Sequence, residues 1–235
     1  NKSICNKNYL YHRGRLDMEK KVTGWDYFSL GMLAFGGLGL EALYAYALEP
    51  MIYGVTMQDW NTSQIIIHWI ITCISWGIVG YSLIFTSKKK YQFNLFETAD
   101  KLKKWQWASV LLCVALTVVA SYIDWSGFKI IKEFQSKGLL LFIFQYIYYA
   151  FETMLFMLII IFAQKAFEVW FKRKNIPYGG IICGITWGFA HTFTKGSIWI
   201  GLEGIVLGFM LGVIYLLMNR DIKKTYIAMF IMFAL

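Results

Sequence analysis

Two ionisable residues, Glu152 and His191, lie in consecutive apolar stretches of the sequence and could together activate a water molecule. Titratable side chains inside a bilayer usually face the interior of a helix bundle or a water-filled cavity, which makes each one a candidate functional residue. A carboxylate can act as a general base on water, and an imidazole can hold or donate a proton. The sequence therefore predicts a catalytic pair formed by Glu152 and His191.

The elements that must position this pair are membrane helices. The chain has 235 residues, of which 58% are apolar and 19% aromatic, with two prolines. The apolar residues form long blocks instead of an alternating or narrow-stripe pattern, which is typical of a polytopic helical membrane protein. The prediction is an all-α fold with about seven transmembrane helices, the last one short or truncated. These spans are expected over 27–47, 64–85, 105–123, 138–162 (continuing to 171), 179–194, 198–218 and 225–235.

Basic residues alternate between the two sides that these spans define. Nineteen Lys and Arg residues fall on the side of the N-terminus and four on the other side. The positive-inside rule then places the N-terminus in the cytoplasm of an integral membrane protein, and the net charge of +9 does not indicate nucleic acid as a partner. Trp25, Trp60 and Trp170 are among the aromatic residues expected in the interfacial belts.

Residues 1–24 are expected to form a basic cytoplasmic segment, and residues 25–235 a single transmembrane domain. Met18 reads as an ordinary start, so the preceding residues need not belong to the native protein. Within the basic stretch 86–104, apolar residues recur at helical spacing, which favours either a short surface helix or an ordinary basic loop. The cysteines are scattered singly and indicate neither disulfides nor a thiolate metal site.

Two series of glycines recur every four residues in the fifth and sixth spans. Such a strip lets another helix approach closely. Because His191 follows three residues after the last glycine of the first series, we expect it to face protein instead of lipid. The two series are Gly180, Gly184 and Gly188, and Gly204, Gly208 and Gly212.

Three further titratable residues lie within or near the spans. His68, close to the start of its span, is expected at the interface near the outer surface of the membrane. Glu41 follows a glycine-rich stretch and could hydrogen-bond another helix. Glu203 is a candidate for lining a polar cavity, as are Thr153 and Trp187, which lie close in sequence to the proposed pair.

The stretch that begins at Glu152 resembles the first motif of the CPBP intramembrane protease family, which includes the CAAX prenyl endopeptidases and bacterial Abi proteins. That motif reads Glu-Glu-x-x-x-Arg, usually with Phe before the Arg. Glu152 and Phe156 match it, whereas Thr153 replaces the second Glu and Met157 replaces the Arg.

The second motif of the family, Phe-x-x-x-His, is matched by Trp187 and His191, with Trp in place of Phe. A glycine-rich sixth helix follows, as in the family. The third motif, His-x-x-x-Asn/Asp, has no counterpart, because Phe233 or Met229 stands where its histidine belongs. The resemblance covers residues 138–235 and is closer in order and spacing than in chemistry.

The resemblance implies an intramembrane endopeptidase, a hydrolase of the bacterial plasma membrane that cleaves a membrane-embedded peptide or protein. Glu152 would act as the general base and His191 as its partner. No cofactor is predicted: a divalent metal is compatible with the family but would have too few ligands, since a catalytic zinc normally has three from protein.

Two other functions are compatible with the same residues. The missing Glu, Arg and His favour a catalytically inactive relative that acts as a membrane scaffold or as an immunity or sorting protein. Acidic residues in several spans would also suit a transporter, although the sequence shows neither an internal repeat nor a proline inside a span.

Overall fold

The protein is a bundle of seven helices in a computed structural model that describes residues 22–97 and 99–235. Expectations for residues 1–21, including the start at Met18, lie outside the described residues. The helices are α1 (Gly24–Tyr53), α2 (Thr62–Tyr91), α3 (Lys104–Asp124), α4 (Lys129–Phe171), α5 (178–195), α6 (Ile198–Leu217) and α7 (Ile222–Ala234).

Five of these helices, α1 to α4 and α6, are long and apolar enough to cross a membrane. This confirms the prediction of an all-helical integral membrane protein. Helix α5 spans 18 residues and α7 only 13, so both are shorter than the ~20 residues that a full crossing needs. Residues 92–97 and 99–103 contain no helix. For the basic stretch, the prediction of a loop is therefore confirmed and the prediction of a surface helix is wrong.

Helix α4 forms the core of the bundle. Its segment from residue 155 to 163 is apolar on all sides, and a segment of this kind must be covered by neighbours in every direction. Helices α1, α2, α5 and α7 all pack against it. Fully buried side chains of α4 include Leu155, Phe156, Leu158 and Phe162.

The first residues of α4 fold back over its continuation at Gly138, whose φ of 70° and ψ of 170° break the helix. The break brings Glu133 within 2.7 Å of the Tyr149 hydroxyl, sixteen residues later in sequence. A straight helix would separate the two residues by about 24 Å. Lys129 lies in the same folded-back segment and donates a hydrogen bond to the Phe233 carbonyl of α7 at 2.7 Å.

Helices α5 and α6 meet along the two glycine strips, which confirms the expected close approach. Gly184 lies against Gly208, and a Cβ atom on Gly208 would lie 2.6 Å from the Gly184 Cα atom. Gly188 against Gly204 and Gly180 against Gly212 are equally close. Only glycine fits at these positions, because a Cβ on one helix would overlap the backbone of the other.

Helix α5 contains a π-helical turn, Gly184–Gly188, within this contact. Residues spaced four apart drift around an α-helix by roughly 40° per step, so the strip would otherwise turn away from α6. The wider turn reduces this drift and keeps the glycines of α5 in line.

We expect Gly208→Ala to lower the free energy of unfolding by about 1–3 kcal/mol, since the added methyl group overpacks a backbone contact. The matched control is Gly39→Ala, which adds a methyl group to α1 where no atom lies within 4 Å. Thermal unfolding in one detergent compares the two variants. Equal midpoints for both variants would contradict the packing role of the strip.

We expect Gly138→Ala to destabilise the protein by about 1–3 kcal/mol, because only glycine readily adopts its backbone conformation. Gly196→Asn is the control, since Gly196 has φ 64° and ψ 21°, a left-handed conformation that Asn tolerates. Thermal unfolding again provides the measurement, and an unchanged midpoint for Gly138→Ala would show that the break does not require glycine.

Candidate functional site

Trp187 is the residue that connects Glu152 and His191. Its indole Nε1–H donates to Glu152 Oε1 at 2.9 Å. Its backbone carbonyl accepts a hydrogen bond from His191 Nδ1 at 2.9 Å, and the two rings are packed edge to face with centroids 4.9 Å apart. Among the described residues, no hydrogen bond or ion pair joins Glu152 to His191 directly. Each member of the predicted pair therefore contacts the same tryptophan.

The Trp187–Glu152 hydrogen bond is buried, so it contributes to the stability of the bundle. Glu152 is 8% exposed and Trp187 is 4% exposed, on helices that are packed against each other. A buried carboxylate without a hydrogen-bond donor costs free energy, and the indole N–H supplies one donor. The hydrogen bond to the Trp187 carbonyl also sets the tautomer of His191. Because a carbonyl can only accept, Nδ1 carries the hydrogen, and Nε2 is the nitrogen that remains available for a further hydrogen bond.

A direct acid–imidazole contact lies at the α1–α2 hairpin. His68 Nδ1 lies 2.6 Å from Glu49 Oε2, and both side chains are about 4% exposed. His68 Nε2 lies 4.0 Å from Glu41 Oε1. The Trp60 ring packs on the imidazole at 5.2 Å. His68 is therefore buried between two carboxylates, and Trp60 is buried as well. Their location at the depth of the membrane interface stays a prediction.

A π-helical turn explains how Glu41 and Glu49 reach the same histidine. The two residues are eight positions apart, a spacing that places them roughly 80° apart around an α-helix. The π-helical segment Tyr44–Leu48 lies between them and adds one residue to the turn. Their effective spacing becomes close to two full turns, which brings both carboxylates to the face that meets His68.

Glu41 interacts electrostatically with residues of both acid–imidazole groups. It is within electrostatic range of Glu152 on α4 and of His191 on α5, and it is also a neighbour of the Tyr148 hydroxyl. Its side chain is 39% exposed, in contrast to those of Glu49 and His68. Glu41 is therefore the most accessible carboxylate of the polar cluster formed by Glu41, Glu49, His68, Glu152 and His191.

Lys129 and Lys195 provide positive charge near Glu152. Lys129 also lies 4.8 Å from the centre of the Tyr149 ring, and this tyrosine belongs to a buried network around Glu133. The network includes Gln145, whose Nε2 donates to Glu133 at 3.0 Å. The fold-back at Gly138 therefore places both polar side chains and positive charge next to the site.

The three candidates for lining a cavity have different environments. Trp187 contacts Glu152 directly. Thr153 is completely buried, and its hydroxyl has no hydrogen-bond partner among the described residues. Glu203 is exposed on α6. Within the part of the chain that the structure describes, no three His, Cys, Asp or Glu residues are grouped so that they could hold a metal ion.

Phe233, one of the two residues that the resemblance places at the histidine of the third motif (the other is Met229), lies beside the site. Its ring packs on Trp187 at 5.6 Å, on Phe156 at 5.5 Å and on Tyr149 at 5.0 Å. A polar residue at this position of α7 would border the site, so the aromatic ring closes one of its sides.

The contact between Glu49 and His68 was not predicted from the sequence. A signal for it exists: the two residues lie close to the loop that joins α1 to α2, on opposite arms of a helical hairpin. Antiparallel arms bring such positions to the same level. The π-helical turn that orients Glu41 has no comparable signal in the sequence.

Comparison of the chain with protein-family models, curated proteins and solved structures finds no match.

We expect Trp187→Phe to lower the free energy of unfolding by about 1–3 kcal/mol, because the buried Glu152 carboxylate loses its indole donor. Trp199→Phe is the matched control, since Trp199 is 72% exposed. Chemical denaturation of both variants in the same detergent measures the difference. An equal effect of the two substitutions would contradict a stabilising role for the hydrogen bond.

Proposed function

We propose that the protein is an intramembrane endopeptidase of the CPBP type, in which Glu152 activates a water molecule. The observation that carries the proposal is the buried Glu152 carboxylate, held through Oε1 by Trp187 next to His191. The other carboxylate oxygen, Oε2, would accept the proton of the water. The resulting hydroxide would attack the carbonyl carbon of a peptide bond in a membrane-embedded substrate.

The charges around the site would stabilise the developing oxyanion. Fixed positive charge and hydrogen-bond donors aimed at such an oxygen often contribute a large part of the rate acceleration. Lys129, Lys195 and a protonated His191 Nε2 are the candidates, since the two lysines already lie within electrostatic range of Glu152.

The charge distribution supports one orientation in the membrane. The loops at the start of α1, between α2 and α3, between α4 and α5, and between α6 and α7 carry most of the basic residues. We assign this face to the cytoplasm of a bacterial plasma membrane. Trp187 and His191 lie in the second half of α5, so the site would then lie in the half of the bilayer away from the cytoplasm.

An inactive relative is the second candidate, and the packing around motif positions favours it. Thr153 is completely buried and Met157 is 6% exposed, so the positions of the second Glu and the Arg belong to the apolar core. Phe233 and Met229, the two candidates for the histidine position of the third motif, are an aromatic ring packed on Trp187 and a fully buried apolar side chain. In this case the bundle would serve as a membrane scaffold or as an immunity or sorting protein.

We expect Glu152→Gln to reduce proteolysis by at least about 10²-fold, as is typical when a general base is removed. The measurement is mass-spectrometric identification of new protein N-termini in membranes of cells that express the wild-type chain or a variant, which detects cleavage of any membrane protein. Glu203→Gln, an identical chemical change on the exposed face of α6, should leave the N-termini of the wild type unchanged.

The same experiment separates the two candidate functions. N-termini that depend on the wild-type Glu152 support the peptidase. Identical sets of N-termini in cells with the wild type, with Glu152→Gln and with no protein would overturn it and support the inactive scaffold.

A further inference from the structure

Glu49, His68 and Glu41 form a series of neighbouring titratable side chains at the α1–α2 hairpin. Glu49 Oε2 contacts His68 Nδ1 at 2.6 Å, a distance typical of a strong hydrogen bond between charged groups. The opposite ring nitrogen, Nε2, faces Glu41 Oε1 at 4.0 Å. Both nitrogens of the imidazole thus face a carboxylate oxygen, so the ring can carry a proton on each.

The three side chains differ in their exposure, which increases from Glu49 and His68 to Glu41. Glu49 and His68 are each 4% exposed, whereas the Glu41 side chain is 39% exposed. The other oxygen of Glu49, Oε1, has no hydrogen-bond partner among the described residues, so the hydrogen bond to His68 is the one that engages this carboxylate. The 4.0 Å between Glu41 Oε1 and His68 Nε2 is longer than a hydrogen bond, so proton exchange between the two requires a small movement of one side chain.

Glu41 also lies within electrostatic range of the proposed catalytic site. Glu152 and Tyr148 on α4 and His191 on α5 are the groups it interacts with there. The neighbours of His68 are Glu41 and Glu49 of α1 and the Trp60 ring. Glu41 is therefore the residue shared by the two acid–imidazole groups.

We propose that Glu49, His68 and Glu41 are a proton relay that serves Glu152. Glu49 positions the imidazole and compensates its charge, His68 holds the proton, and Glu41 exchanges it with the catalytic site. The purpose of the relay rests on the proposed peptidase function, but the proton linkage between His68, Glu41 and Glu152 is a property of the protein without substrate.

With this relay, every proton that the reaction takes up or releases has a donor and an acceptor. Glu152 takes one proton from water while the hydroxide oxygen bonds to the carbonyl carbon. When the carbon–nitrogen bond breaks, the leaving nitrogen takes a proton from Glu41, which receives it from His68 Nε2. The proton on Glu152 then passes to Glu41 and back to His68. One water is consumed, one acid and one amine are released, and all three side chains regain their initial state.

The test is a pH titration of the histidine side chains by NMR, in the full chain labelled with ¹⁵N-histidine and reconstituted in phospholipid nanodiscs. The chain has three histidines, so His12→Gln and His191→Gln assign the signal of His68. We expect the proton affinity of His68 to fall by about tenfold in Glu41→Gln and in Glu49→Gln, a shift of one pH unit for each lost carboxylate charge. Glu203→Gln should leave the titration unchanged.

A double-mutant cycle tests whether Glu41 is the connection. Glu152→Gln should change the titration of His68 in the wild-type background, and it should have no effect when Glu41→Gln is already present. An unchanged titration in Glu49→Gln or Glu41→Gln, or a Glu152 effect that persists without Glu41, would overturn the relay. Because no substrate is used, these outcomes do not depend on whether the protein cleaves peptides.

Proteolysis provides the second readout. If the N-terminus experiment shows activity, Glu41→Gln should reduce it and change the pH dependence of the remaining cleavage, whereas a residue with only a structural role would leave the shape of the pH profile unchanged. A wild-type pH profile in Glu41→Gln would remove this residue from the reaction. Proton linkage without any cleavage would support the relay and overturn the peptidase.

Discussion

The hydrogen bond from the Trp187 indole to the Glu152 carboxylate determines how the centre of the bundle must be built. Helix α4 contains the most buried of the five candidate membrane spans, and an ionisable group on it is costly unless a donor reaches it. Helix α5 supplies this donor, and its backbone lies very close to α4. At Gly179 a Cβ atom would lie 2.1 Å from the Ile160 carbonyl oxygen, which shows how little space separates the two helices.

The position of α5 depends in turn on α6. The glycine strips let the two backbones touch, and the π-helical turn Gly184–Gly188 keeps the strip aligned while it carries Trp187. A bulky side chain at Gly208 would move α5 away from α6 and with it the indole donor. The same residues that pack the helices therefore also orient the polar site, which makes stability and the geometry of the site inseparable in this region.

The polar cluster combines residues from distant parts of the chain. Helix α1 supplies Glu41 and Glu49, α2 supplies His68, and α4 and α5 supply the remaining members of the cluster. A linear motif on α4, α5 and α7 can describe only part of such a site. The aromatic Phe233 on α7 and the buried histidine on α2 show that the polar groups of α4 and α5 are extended by α1 and α2 and not by α7.

The sequence by itself determined the helical class, the limits of most helices to within a few residues, and the close contact of α5 with α6. These properties follow from local causes: the length of apolar blocks, the alternation of charge and the absence of side chains on glycine. Only the tertiary structure decided that Glu152 and His191 meet at Trp187 and that His68 lies between two carboxylates. Those contacts depend on the rotation of each helix about its axis, which the π-helical turns and the break at Gly138 set, and residue types alone do not specify that rotation.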